Sequence, residues 1–184
     1  MYGIINNSFK KYVQEIYGQD CWTEVLAVAG VHDDVFIELM NHNDQNTIEI
    51  VKAAVGVTGD SMDHQLSNFG RFWIRRVALK NYRGLIDSYG GNFFSLLENL
   101  NLMHKEISSS FLNYLPPSIS IEHVSEFDYR VIYQSHRQGF TPFVLGILEE
   151  LGDVYSHTVV INCVETTSDE SGETSVISLD VRPK

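Results

Sequence analysis

Ile4, Ile5, Phe9, Tyr12, Val13 and Ile16 recur at the spacing of one helix face, and Gly18 follows as a stop. The next segment, "DCWTEVLAVAG", opens on Asp20, suited to N-capping, and closes on Gly30. A third helix is predicted over "DQNTIEIVKAAVGVTG", with Ile48, Val51, Ala54 and Val55 facing inward. A fourth, "SMDHQLSNFGRFWIRRVAL", has Ser61 as its cap and a stripe of Met62, Leu66, Phe69, Trp73 and Val77. The fifth and longest, "GNFFSLLENLNLMHKEISSSFLNYL", ends at two prolines.

Beyond those prolines the period changes from helical to alternating. "SISIEHV" and "DYRVIYQSHR" read as a hairpin. "TPFVLGILEELGD" reads as a helix capped by Thr141, with Pro142 in its first turn and Gly152 at its end. "HTVVINCVETT" and "TSVISLDVRP" are two more strands around the turn "SDESGE". Helices and strands segregate along the chain. The fold class is therefore α+β, a helical N-terminal part against a mainly antiparallel sheet of about four strands with one interposed helix. One domain is expected over 1–184, with the helical part at about 1–65 and the remainder at about 66–184.

Composition narrows the partners. Net charge is −11, which leaves little to neutralise phosphates, so nucleic acid is not expected. No apolar run of about 18 residues and no basic, apolar leader occurs, so neither a membrane span nor a signal peptide is predicted. Cys21 and Cys163 are the only cysteines, which suits a reduced, cytoplasmic protein and offers no zinc-finger spacing.

Two constellations could carry chemistry. On the fifth helix the apolar positions Phe93, Leu97, Leu100, Ile107 and Phe111 leave one step empty, and His104 fills it. A neutral imidazole there is a good iron or zinc ligand. A core histidine bonded to a backbone carbonyl is the alternative. Zinc would want three or four protein ligands, and the next positions on that face are Ile107 and Ser108. A lone axial histidine suits haem better, because the macrocycle supplies the other ligands. The second constellation is Tyr133, Ser135 and Arg137, at two-residue spacing on one face of a strand, with His136 on the other. Arg forks onto a carboxylate and the hydroxyls can add hydrogen bonds; a solvated strand face would show the same spacing. Ile5, Trp73, Phe143 and Ile147 sit on inward helix faces, as core or as pocket wall. No nucleophile elbow, phosphate loop or H-E-x-x-H is present, and no enzyme is predicted.

These features resemble the haem nitric-oxide/oxygen-binding (H-NOX) domain family, which includes the N-terminal haem domain of soluble guanylate cyclase β subunits. "MYGIIN", Tyr17-Gly18 with Trp22, "FGRFW", "LLENLNLMH", "PPS", "YQSHR" and "VLGILEELG" carry the resemblance over nearly the whole chain. It implies one non-covalent haem b buried between the two parts. It makes His104 the proximal iron ligand and gives Tyr133, Ser135 and Arg137 the propionates. It has Pro117 distort the porphyrin, and Ile5, Trp73, Phe143 and Ile147 line the distal pocket. Oxygen-binding relatives place Tyr where this chain has Phe143, so NO and CO are the expected ligands and O2 is excluded. Trp73, whose indole N–H is a donor, keeps an O2-binding or redox reading open. The resemblance further implies a stand-alone sensor or an excised domain that signals by loss of the His104–iron bond. The effector would be a histidine kinase, a cyclic-dinucleotide enzyme or a cyclase. The rival from another class is a haem-free carboxylate-binding module.

Overall fold

The computed structural model describes residues 2–32, 37, 40, 42–111 and 113–184; Met1 and Leu112, read above as parts of the first motif and the fifth helix, lie outside them. Among the described residues the helices are α1 (Gly3–Tyr17), α2 (Gln19–Ala29), α3 (Asp44–Thr58), α4 (Met62–Phe72), a π-helix (Trp73–Ala78), α5 (Leu79–Tyr89), α6 (Phe93–Ser110) and α7 (Thr141–Val154). The strands are β1 (Ser118–His123), β2 (Asp128–Ser135), β3 (His157–Asp169) and β4 (Gly172–Pro183). All pairs are antiparallel, in the order β1-β2-β4-β3. The α+β class and the four-stranded sheet are as the sequence predicts.

Local chemistry sets several helix starts. Asn43 Oδ1 accepts from Gln45 N at 3.0 Å and Ser61 Oγ from His64 N at 3.2 Å. Asn92 and Ser95 form a reciprocal capping box at the head of α6.

Other expectations are corrected. Asp20 lies inside α2, whose N-cap is Gly18. Ile16 is 60% exposed, because α1 needs only Phe9, Tyr12 and Val13 to fill its side of the core. α6 stops at Ser110, short of the prolines. Thr141 does not cap α7; the helix begins on it, Phe140 is the N-cap, and its hydroxyl turns away to β4. Gly152 is not a helix end but a buried position where α7 meets Val159 of β3. The fourth predicted helix widens into the π-helix at Trp73 and runs on into α5, which the pattern did not suggest.

Two apolar clusters form. Phe9, Tyr12, Trp22, Ile50, Leu66 and Phe69 belong to the first, built from α1 to α4. Phe93, Leu97, Val131, Leu148, Ile177 and Leu179 belong to the second, between the sheet, α6 and α7. α4 and α7 cross where the clusters meet, and each brings a glycine. A Cβ on Gly70 would fall 2.1 Å from the Phe143 carbonyl oxygen, and one on Gly146 would fall 1.9 Å from that of Ser67. Arg71–Glu149 and Arg75–Glu150 ion pairs flank the crossing.

Candidate functional site

His104 sits on α6, half-buried among the apolar positions of its helix. Its Nδ1 lies 3.2 Å from the Pro117 carbonyl oxygen. A carbonyl can only accept, so Nδ1 carries the proton and Nε2 keeps its lone pair. Burial lowers the His104 pKa, against the smaller upward pull of the Pro117 bond, which favours the neutral ring. The carbonyl bond alone fits a core histidine as well as a ligand. Nε2 has no hydrogen-bond partner among the described residues, so it is open to a ligand. No three His, Cys, Asp or Glu side chains gather into a metal site among those residues. His104 could thus hold a metal only as one ligand to a group bringing its own, as a haem does.

α6 is pinned against β1 one turn before His104. Asn101 Nδ2 donates to the Ile119 carbonyl at 2.7 Å, and the Ile119 amide donates back to Asn101 Oδ1 at 2.8 Å. Sequence reasoning missed this pair, since an asparagine on a solvated helix face carries no signal of it.

On β2, Val131 and Tyr133 point into the second cluster. Ser135 ends β2 in the same row, half-buried, but Arg137 lies past the strand, in the bend that follows, and not on the strand face as predicted, while His136 is exposed with its Nδ1 against the Ser171 carbonyl. The Arg137 amide donates to Ser135 Oγ at 3.0 Å. Burial raises the Tyr133 phenol pKa, a shift that the neighbouring Ser135 bond opposes and the Glu173 charge reinforces, so the hydroxyl stays protonated and can donate. Arg137 Nη1 donates to the Leu115 carbonyl at 2.9 Å, and Nε lies 2.7 Å from Asp44 Oδ2 on α3. That buried N–H has no aligned acceptor. Two hydroxyls on β2 and the guanidinium in the bend after it are the groups that could hold the carboxylates of a haem.

The two constellations meet through a short piece of chain. Pro117 holds His104 and Leu115 holds Arg137, so residues 115–117 join the imidazole to the guanidinium. Arg137 extends the link to α3 through Asp44. Tyr2 adds a second connection between the halves, with edge-on ring contacts to Phe111 and Tyr114; Tyr114 in turn faces the His104 ring at 6.4 Å.

Ile5, Trp73, Phe143 and Ile147 are each only partly buried. Ile5 and Phe143 pack against the first cluster, Ile147 against the second and Trp73 against both. Phe143 and Ile147 lie on α7 where it crosses α4, Trp73 follows α4 directly, and Ile5 is on α1. Trp73 is the first residue of the π-helix, a distortion that often marks functional positions.

The family model described as haem-NO-binding matches residues 2–163. Soluble guanylate cyclase gcy-31 of Caenorhabditis elegans is 28% identical over 180 residues, which is 97% of this chain and 26% of that protein. Soluble guanylate cyclase 89Da of Drosophila melanogaster is 26% identical over 176 residues, 95% of this chain and 26% of its own length. The chain spans about a quarter of these curated relatives. The Fe(II) unliganded H-NOX protein from K. algicida superposes with a TM-score of 0.85 at 18% identity, covering 100% of this chain and 98% of that one. An oxygen-binding H-NOX domain related to soluble guanylate cyclases, in its oxygen complex, gives 0.79 at 20% identity, with 100% and 96% covered. The structural likeness carries the fold, and the family match carries the membership: this chain belongs to the haem-NO-binding family, the H-NOX haem-based gas-sensor domains.

Proposed function

We propose that this protein senses nitric oxide, binds CO at the same place, excludes O2, and signals to a separate effector through α6. The observation that carries the reading is the state of His104: neutral, with Nδ1–H fixed on Pro117 and Nε2 left free. One haem b per chain, held non-covalently, would take Nε2 as its axial ligand and leave its opposite side for a diatomic gas. Tyr133, Ser135 and Arg137 would hold its carboxylates, and Pro117, adjoining the His104 ring, would press on the macrocycle. Ile5, Trp73, Phe143 and Ile147 would wall the gas side. A hydrogen-bond donor there would stabilise bound dioxygen; Phe143 has none, which leaves the Trp73 indole N–H as the one donor of the four.

The signal would be release of Nε2 from the iron. While it is bound, α6 is tied to haem, to Pro117 through Nδ1 and to Ile119 through Asn101. After release only the protein ties would remain, and α6, together with β1 and the 115–117 segment it is tied to, would gain freedom relative to α1 to α4. An effector that contacts both would read the difference. A cyclase, a histidine kinase or a cyclic-dinucleotide enzyme would serve, in the cytoplasm. No helix among the described residues is long and apolar enough to cross a membrane.

The test is spectroscopic. The purified ferrous protein should show an intense Soret band, bind NO and CO, and form no lasting complex in air. A persistent oxy spectrum that Trp73→Phe abolishes would replace the NO reading with an O2 sensor using the Trp73 indole. A colourless protein that takes up no added haemin would leave the haem-free carboxylate-binding module.

A further inference from the structure

The turn that carries Arg137 is stitched to the β3–β4 hairpin. His136 Nδ1 contacts the Ser171 carbonyl at 3.3 Å and Gln138 Nε2 donates to the Asp169 carbonyl at 2.8 Å, both at the surface. The buried stitch is Glu173, 6% exposed. Its Oε2 accepts from the Gly139 amide at 2.7 Å, and its Oε1 accepts from Thr141 Oγ1. Thr141 Oγ1 also lies 2.6 Å from Ser175 Oγ, which lies 2.8 Å from Thr166 Oγ1. No Lys or Arg pairs with Glu173 among the described residues. A buried carboxylate is costly unless its oxygens are satisfied. Here two donors from one turn, backed by the N-terminal end of α7, fill that need.

The position is enforced from the other side. Glu173 pairs with Ser135 across β2 and β4. Gly172 before it has φ +140, and a Cβ there would fall 2.1 Å from the Ser135 carbonyl oxygen. One residue therefore grips both ends of the turn: Ser135 through the strand register, Gly139 and Thr141 through its carboxylate. Arg137 lies between those ends.

We infer that Glu173 is a positioning residue for Arg137, fixing the 136–140 turn so that the guanidinium reaches the haem carboxylates. This rests on the reading that Tyr133, Ser135 and Arg137 hold those carboxylates. Glu173→Gln keeps the shape but removes the charge and turns one acceptor into a donor, which Thr141 Oγ1 can accept while its own proton goes to Ser175 Oγ, so the Gly139 N–H keeps at most a neutral bond in place of a charge-assisted one.

The experiment compares Arg137→Ala, Glu173→Gln and the double variant with the unmutated protein. One readout is haem loss to excess apomyoglobin; the other, on haem-free protein, is amide hydrogen exchange at Gly139. Loss of one charge-assisted bond should speed Gly139 exchange and haem loss in Glu173→Gln by roughly tenfold each. If Glu173 acts through Arg137, the double variant loses haem no faster than Arg137→Ala alone. Additive effects overturn the inference, as does fast haem loss in Glu173→Gln with unchanged Gly139 exchange. If Arg137→Ala alone speeds haem loss, the inference fails while the carboxylate reading stands. If Arg137→Ala keeps haem as the unmutated protein does, the carboxylate reading falls and the inference with it.

Discussion

Gly146→Ala probes the α4–α7 crossing, on which the proposed gas side depends. The added Cβ would lie 1.9 Å from the Ser67 carbonyl oxygen and 2.8 Å from its carbon. Both are backbone atoms in the middle of a helix, so no side chain can swing aside. Relief requires α4 and α7 to part by about 1 Å, an overpacking that costs about 1–3 kcal/mol or more. Ala in place of Gly returns up to about 1 kcal/mol of helix propensity. The net loss should be about 1–2 kcal/mol, or roughly 2–8 °C in midpoint for a chain of this size. Gly56, inside α3, is the control, since nothing lies within 4 Å of its Cβ position. Gly56→Ala should stabilise by about 0.5–1 kcal/mol. Urea and thermal unfolding of haem-free protein measure both. Because Phe143 and Ile147 sit on the displaced face of α7, Gly146→Ala should also alter the CO-bound spectrum, and Gly56→Ala should not. Equal midpoints for Gly146→Ala and the unmutated protein would refute the close crossing.

Asn101→Leu removes both bonds that fasten α6 to β1 and should cost about 1–2 kcal/mol in urea unfolding, against under 0.5 kcal/mol for Leu at exposed Glu98. His104→Gly with haem restored by free imidazole should mimic the NO-bound output in an effector assay; output like that of the unliganded protein would sink the release mechanism. Burial pulls the Asp44 carboxyl upward, but the cations beside it, Arg137 among them, outweigh that and hold it below its ordinary value of 3.8. A depressed carboxyl contributes stability above its unfolded pKa and loses it as pH falls through the folded value. The urea-midpoint gap between the unmutated protein and Asp44→Asn, seen at neutral pH, should therefore close below about pH 4; a constant gap would show that the carboxylate contributes nothing.

Part of the site was legible because it rests on periodicity. An imidazole at a missing step of a helical stripe must share the face of its neighbours, and alternate residues of a strand must share a side. That put His104 among the apolar positions of α6 and Tyr133 and Ser135 on one row of β2; Arg137 escaped the alternation because β2 ends at Ser135. Glu173 was misplaced by its composition: it reads as the end of the turn "SDESGE", yet β4 begins at Gly172 and Glu173 stands in its inward row with Ser175, Ile177, Leu179 and Val181. An acidic residue in a buried row needs a partner. α5 was not legible, because only Ile86 in it is fully buried and so it has no apolar stripe.

Residue type and local period were enough for most of the element types, for the rows that His104, Tyr133 and Ser135 occupy and for the net charge of −11. Tertiary structure alone decided what those faces meet. Pro117 and Leu115 act through their carbonyls, which every residue possesses, so nothing in their side chains announces that one fixes His104 and the other Arg137. The same holds for Gly70 and Gly146, unremarkable as letters until two helix backbones come within a Cβ of each other. The ion pair from Arg137 to Asp44, 93 positions apart in the numbering, exists only because α3 folds back beside the turn after β2.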